Sequence, residues 1–288
     1  MNSASDPGPT DARQTPQGTV ARMLRDVAAQ TSSLLVPRLC PCGREGSWLC
    51  PACRDLLRVV PLRVESCCDA LQNLSAARVR ERSPSLPAGV DHRPLLPVLA
   101  LGEYTGDLQR LVLSWKNGGM LHLGGPIARG LAPAVGQLMN QGPNAARRAP
   151  PWLVPVPSRL RARLRRGEDH TAELVRSLAR VGAGTPLLLR ATPTSGQEGQ
   201  GARQRRTRRI RLAGPLPASA RAGSAGCVIV DDVVTTGATL RGMHEALTAA
   251  GLQVVGAVVV ASARVPAASL PVELRLAPPA VHGLDGAR

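Results

Sequence analysis

Two runs in this chain, "CVIVDDVV" (Cys227–Val234) and "LQVVGAVVVASA" (Leu252–Ala263), are apolar at nearly every position, and an amphipathic stretch, "TLRGMHEALTAAG" (Thr239–Gly251), separates them. A strand with one wet face alternates apolar and polar residues; these do not alternate. Strands of that kind are covered on both faces, which in practice means a parallel sheet with helices above and below. Gly251 supplies the helix stop between them. The same alternation of elements runs upstream. Strands are expected at Leu96–Tyr104 and Pro151–Pro157, and helices at Gly106–Lys116, Leu123–Met139 and Asp169–Val181. The expected fold is therefore α/β, built on a parallel sheet.

Asp231 and Asp232 lie near the end of the first apolar run, two valines before Thr235-Thr236-Gly237-Ala238-Thr239. A half-buried pair of like charges is costly unless something cationic or hydroxylated binds it. Ligands of open parallel sheets sit beyond the carboxyl ends of the strands, where both aspartates fall. The backbone N–H groups of the turn, with a helix N-terminus behind them, suit a phosphate, and Gly237 lets the backbone approach it. The carboxylates repel a phosphate but accept from the hydroxyls of a sugar. Together the two halves fit a ribose 5-phosphate.

Composition narrows the remaining classes. Apolar residues make up 43% of the 288, enough for a core, yet aromatics are 1% and Phe is absent, so Leu, Val, Ala and Ile must fill it. No apolar run reaches the roughly 18–20 residues of a membrane span, and the polar start of the chain has no signal-peptide core. A soluble cytoplasmic protein is expected. The net charge is +16, from 36 basic and 20 acidic residues, and Lys116 is the only lysine. A basic face toward a polyanion is one reading of that excess and arginine-rich composition is the other. No aromatic interleaving marks a base-stacking platform.

Six of the seven cysteines lie between residues 40 and 75. In a cytoplasmic chain such clustering argues for metal rather than disulfides. Cys50-x-x-Cys53 has knuckle spacing, and Cys40-x-Cys42 offers a second pair one residue shorter than usual. Four thiolates around Zn²⁺ would staple a module too small to bury a core; a metal-free hairpin is the alternative. Cys67 or Cys68 could replace Cys40 as a ligand. Cys227, on the apolar run, reads as a small core residue.

The organisation expected from these features begins with a disordered tail over residues 1–18. An N-terminal helix and the cysteine-rich, zinc-finger-like module cover 19–75, an Arg- and Pro-rich linker 76–94, the α/β domain 95–264, and a C-terminal tail 265–288. Residues 192–226 interrupt the alternation with a long polar segment holding seven arginines between Arg203 and Arg221. Segments of that length inside a domain are functional or disordered, and a flexible lid over an anionic ligand is expected.

These residues carry a resemblance. "CVIVDDVVTTGAT" (Cys227–Thr239) is similar at every position to the phosphoribosyl-pyrophosphate (PRPP) motif of type I phosphoribosyltransferases. "CPCGREGSWLCPAC", "YTGDLQRLVLSWKNGG", "VPVPSRLRARLRRGEDHTAEL" and "TPTSGQEGQGARQRRTRR" together resemble the ComF/GntX branch of that superfamily, over roughly residues 34–263. The resemblance implies a type I phosphoribosyltransferase-like domain behind a small cysteine module. It also implies a Mg²⁺-dependent transfer of phosphoribosyl from PRPP to an unknown acceptor, with release of pyrophosphate. Asp231 and Asp232 would hold the ribose hydroxyls, with Mg²⁺ bound mainly by PRPP, and Thr235, Thr236, Gly237, Ala238 and Thr239 the 5-phosphate. Pro157, Ser158 and Arg159 would face the pyrophosphate, with Lys116 as a further phosphate contact. Gln197, Arg205 and Arg206 would lie on the lid. Two positions depart from the family pattern: Arg208 stands where the lid carries asparagine, and Glu168 where an aromatic follows the Arg-Gly pair. The alternative that the resemblance implies is a non-catalytic PRPP-binding adaptor in DNA uptake (natural competence), contacting a helicase-like partner or single-stranded DNA.

Overall fold

The computed structural model describes residues 38–74, 92–117, 119–141, 149–157, 169–193, 210–213, 216–218, 220 and 225–267. The chain divides into two compact units, Met1–Cys50 and Pro51–Arg288.

In the first unit, the described residues form a tight knuckle. Leu39 and Glu45 make a single antiparallel bridge, and Cys40 N–H donates to the Arg44 carbonyl at 2.9 Å while Gly43 N–H donates to the Cys40 carbonyl at 2.8 Å. Gly43 and Gly46 turn the chain with φ of 91° and 85°.

The second unit opens with α1 (Pro51–Asp55), β1 (Leu62–Arg63) and two single-turn 3₁₀ segments, Glu65–Cys67 and Asp69–Leu71. Then follow β2 (Gln72–Leu74), β3 (His92–Pro94), β4 (Val98–Ala100), α2 (Gly106–Asn117), a 3₁₀ turn at Leu121–Leu123, α3 (Gly124–Met139), β5 (Trp152–Pro155) and α4 (His170–Arg180). The chain continues through β6 (Thr185–Pro186), β7 (Arg190–Pro193), β8 (Ile210–Ala213), β9 (Cys227–Val234), α5 (Ala238–Ala249) and β10 (Val254–Ser262). The main sheet has six strands in the order β1-β4-β10-β9-β5-β6. All neighbours are parallel except β1, which runs antiparallel to β4 at the edge.

The unbroken apolar runs become the sheet's centre. β9 and β10 pair from Val254–Cys227 through Ser262–Val234. Side chains on successive residues point to opposite faces, so Ile229, Ala257 and Val259 meet Leu240, Met243 and Leu247 of α5 in one apolar cluster. Val228, Val230, Val258 and Val260 stay outside that cluster and are equally buried. The other helices supply Leu111, Trp115, Ile127, Leu131, Leu174 and Leu178, all fully buried. Each such side chain stabilises the fold by about 1.5–3 kcal/mol relative to exposure.

Several expectations are met and several change. α2, α3 and α4 lie within one or two residues of their expected bounds. The strand expected over Leu96–Tyr104 is shorter, because Pro97 lacks an N–H and the ladder breaks after Ala100; it resumes only as a bridge from Glu103 to Ser262. Residues 76–91 of the linker expected over 76–94 lie outside the described residues. The contacts divide the chain at Cys50/Pro51, because β1 joins the sheet and Val64, Cys68 and Leu71 enter the same cluster as α5. Residues 192–226 are not one open segment. β7 and β8 pair from Arg190–Ala213 to Pro193–Ile210, with Ile210 buried and Leu212 and Leu216 packed on the core. The expected helix before Pro37, Ser158, Arg159, Gln197, Arg205, Arg206, Arg208 and Glu168 lie outside the described residues.

Candidate functional site

β9 delivers the two carboxylates. Six residues of its eight are buried, Asp232 among them, so the strand is fixed by the core, and half-buried Asp231 and buried Asp232 are its fifth and sixth residues. The Asp231 carboxylate accepts from Asp232 N–H at 2.8 Å, and the Asp232 carboxylate accepts from Val233 N–H at 2.7 Å. Each acid is thereby pinned by the next peptide. The Lys116 ammonium, near the end of α2, pairs with the remaining oxygen of Asp232. The structure thus brings Lys116 to the acid pair.

The electrostatics of the pair follow from this geometry. Burial first, and then the charge of Asp232, push the Asp231 carboxyl well above the usual carboxylate range; the Asp232 N–H and Lys116 pull the other way without cancelling them. A cation or a set of hydroxyls delivered to this point lowers that cost.

The turn after β9 is built around Gly237, which has φ 77° and ψ 3° and starts α5. An L-residue pays for that conformation, and a Cβ there would also lie 2.7 Å from Leu71 Cγ and 3.0 Å from Cys68 Cβ. Thr235 and Thr236 are exposed, Thr239 half-buried, and Gly237 and Ala238 buried. The Thr236 hydroxyl oxygen is 3.4 Å from Ala238 N–H. Pro157 lies two residues past the Pro155–Val230 pair of β5 and β9, beside the aspartates in register.

Sequence reasoning missed what supports this turn. Ala70 N–H donates to the Thr236 carbonyl at 2.9 Å, and the Arg241 guanidinium donates to the Ala70 carbonyl at 2.8 Å. The segment was read as part of a cysteine module; its "DALQNL" pattern of apolar residues was the available signal. His170 is buried at the start of α4, edge-on to the Trp115 ring at 5.8 Å, while Asp169 caps the helix by accepting from Ala172 N–H at 3.3 Å.

The thiols sort into two kinds. The ligand atoms of Cys40, Cys42, Cys50 and Cys53 all lie within 4.8 Å of one another, with the Cys42 and Cys50 sulfurs 3.7 Å apart. The short Cys40-x-Cys42 spacing works because the knuckle doubles back at Gly43. Four soft donors in one small volume fit a tetrahedral thiophilic metal such as zinc. Cys67 and Cys68 are not alternatives to Cys40. Cys68 donates to the Val64 carbonyl at 3.4 Å inside the core, and burial, with Cys67, Glu65 and Asp69 nearby, pushes its thiol up to about 12. Burial also raises Cys227 to about 11, as befits a core residue.

Among the described residues no helix is long and apolar enough to cross a membrane. No curated protein sequence matches the chain. Among solved structures it is similar to a glutamic acid mutant from an analysis of an invariant aspartic acid in HPRTs, at 18% identity over 50% of this chain and 69% of that one, with a TM-score of 0.30. It is also similar to Trypanosoma cruzi hypoxanthine phosphoribosyl transferase from a study of the C-terminal region's role in oligomeric state and activity (20% identity, 50% and 66% covered, TM-score 0.30). A third is the hypoxanthine phosphoribosyltransferase of Trypanosoma cruzi in complex with the product IMP (18% identity, 47% and 68% covered, TM-score 0.28). The chain spans about two thirds of the length of these structures. Residues 190–272, which contain the aspartate strand, its turn and α5, match the family model of the phosphoribosyl transferase domain.

Proposed function

We propose that this chain is a phosphoribosyltransferase of the ComF/GntX kind that binds Mg²⁺-PRPP and transfers its phosphoribosyl group to an acceptor, releasing pyrophosphate. The observation that carries the reading is the acid pair at the end of β9 joined directly to a left-handed Gly237 turn at the start of α5. The family-model match over the same residues supports it.

In this reading the carboxylates of Asp231 and Asp232 accept from the ribose 2- and 3-hydroxyls. The N–H groups and hydroxyls of Thr235–Thr239 hold the 5-phosphate at the helix N-terminus. Pro157, Ser158 and Arg159 face the pyrophosphate. Lys116, now on Asp232, can pass to a pyrophosphate oxygen once ribose hydroxyls take its place on the acid. The acid pair fits a divalent cation nearby, since Asp231 and Asp232 carry more negative charge than Lys116 offsets; Mg²⁺ held by PRPP would neutralise the leaving group. Gln197, Arg205 and Arg206, in the sequence between β7 and β8, would cover the reacting centre and exclude water as the anomeric carbon gains oxocarbenium character. The rate enhancement in such a site comes from positioning and preorganised charge. Cys40, Cys42, Cys50 and Cys53 would hold a structural Zn²⁺.

Thermal unfolding with Mg²⁺-PRPP tests the reading. Ligand at about 100 times its dissociation constant stabilises by roughly 2.7 kcal/mol. The wild type should gain several degrees, and Asp231→Asn/Asp232→Asn should gain none. Absence of any shift in the wild type would sink the proposal; a shift without pyrophosphate release across acceptors would turn it toward a non-catalytic PRPP-binding role.

A further inference from the structure

The geometry points to Arg241 as a positioning residue for the 5-phosphate turn, acting through the two peptides that flank Ala70; this rests on the reading of Thr235–Thr239 as that subsite. Arg241 stands in the first turn of α5, and its charge is spent on protein acceptors. Its Nη1 donates to the Ala70 carbonyl at 2.8 Å and lies 3.4 Å from Asn73 Oδ1, while its Nε donates to Glu245 at 2.9 Å. The peptide on the other side of Ala70 is committed too: the Ala70 N–H, in the 69–70 peptide, donates to the Thr236 carbonyl at 2.9 Å. Ala70 is buried and its bond to the partly exposed Arg241 is part-buried, and an unmade bond at a buried backbone group is costly.

The orientation of one peptide depends on this chain of bonds. A trans peptide is planar, with its C=O and N–H pointing opposite ways. Holding the Thr236 carbonyl against Ala70 therefore aims the Gly237 N–H away from the 65–73 segment, toward the open side of the turn. Gly237, at φ 77° and ψ 3°, has the dihedrals of the third residue of a type II turn, about +80° and 0°. The type I alternative differs by a flip of that same 236–237 peptide. A flip would replace a donor with a carbonyl oxygen on the side where the phosphate sits. The Gly237 carbonyl is likewise engaged from behind, accepting from Arg241 N–H at 2.9 Å. Leu71 and Cys68, packed against Gly237 Cα, complete the wall.

The test pairs two ligands with three variants. Ribose 5-phosphate reports the turn, and Mg²⁺-pyrophosphate reports the other half of the site. By calorimetry, Arg241→Met should bind ribose 5-phosphate about tenfold more weakly than wild type and pyrophosphate equally well. Arg241→Lys, which keeps a donor for the Ala70 carbonyl, should recover most of the loss. Ala70→Pro removes only the N–H and leaves the guanidinium in place; it should reproduce Arg241→Met. If Ala70→Pro binds like wild type, Arg241 acts on the ligand by charge and the inference fails. Equal weakening of both ligands in Arg241→Met also overturns it, as a general loss of the site. Hydrogen exchange of the Ala70 amide in the unliganded protein gives a separate readout, expected to quicken about tenfold or more in Arg241→Met. Should the wild type bind no ribose 5-phosphate, the functional reading falls, while unchanged exchange at Ala70 would by itself overturn the brace.

Discussion

The cysteine cluster and the aspartate pair both gather groups that repel when ionised, and they are held together by opposite means. Cys40 and Cys42 sit on a knuckle of residues 38–50 whose internal bonds are short-range backbone contacts, and the cluster's own sulfurs are its centre. Asp231 and Asp232 ride on a strand whose neighbours are buried apolar residues contributed from across the domain. Ionised, the four thiols would need an external cation to offset their charge, beyond the Cys50 N–H that donates to the Cys40 sulfur at 3.3 Å, while the carboxylates have Lys116 and two backbone N–H groups built in. On the proposed reading, a bound ion would make the first site and the fold makes the second.

Metal removal breaks that comparison hardest. A structural Zn²⁺ contributes on the order of 10 kcal/mol of apparent binding free energy that an apo cluster cannot replace. The purified chain should carry about one zinc per molecule. Chelation should release it and raise hydrogen exchange across residues 38–55, while β9 and β10 keep their protection. Cys53→Ser should do the same, whereas Cys68→Ala, a core thiol, should leave metal content unchanged and cost about 1 kcal/mol in urea unfolding. A folded knuckle without metal would remove the contrast altogether.

The fold-made site should instead break by packing. Gly237→Ala meets two penalties, the left-handed backbone at about 1–2 kcal/mol and overpacking against Leu71 at about 1–3 kcal/mol. A combined loss of about 2–4 kcal/mol is expected in urea unfolding. Leu71→Ala in the same chain should recover the packing share only, so the two changes should be non-additive. Strict additivity would mean that the turn does not rest on the 65–73 segment.

The legible and illegible parts divide along the same line. β9, α5 and β10 could be read directly because unbroken apolar runs, a glycine stop and an Asp-Asp-x-x-Thr-Thr-Gly sequence each have a local physical cause. The four-thiol set was legible because ligand spacing is local too. The partnership of Ala70 with Thr236 and Arg241 was not, since those residues are more than 160 positions apart and a backbone N–H leaves no mark in the sequence. β1, β6, β7 and β8 were missed for a related reason. They are two to four residues long, and their pairing is decided by neighbours rather than by periodicity. Cys67-Cys68 misled because a thiol reads alike as ligand or core until its surroundings are known.

The smallest effect expected bears on the carboxylates alone and has a sign that separates them from ordinary stabilising acids. Asp231 has a folded-state pKa above its unfolded value, from burial and from Asp232. Its contribution to stability is therefore fully present below the unfolded carboxylate pKa and is lost as pH rises through the folded value. Once ionised, Asp231 is a cost that Lys116 only partly offsets. Asp231→Asn should raise the melting temperature of the ligand-free protein at pH 7, by the equivalent of about 1 kcal/mol, and the gain should fade as pH falls from the folded-state value toward about 4 and be gone below it. The same variant should bind PRPP poorly. A stabilised protein with a weakened site is what a strained binding pair requires. If Asp231→Asn is instead less stable at pH 7, the carboxylate is earning its place through Lys116 and the backbone, and the acid pair belongs with the self-sufficient parts of the fold.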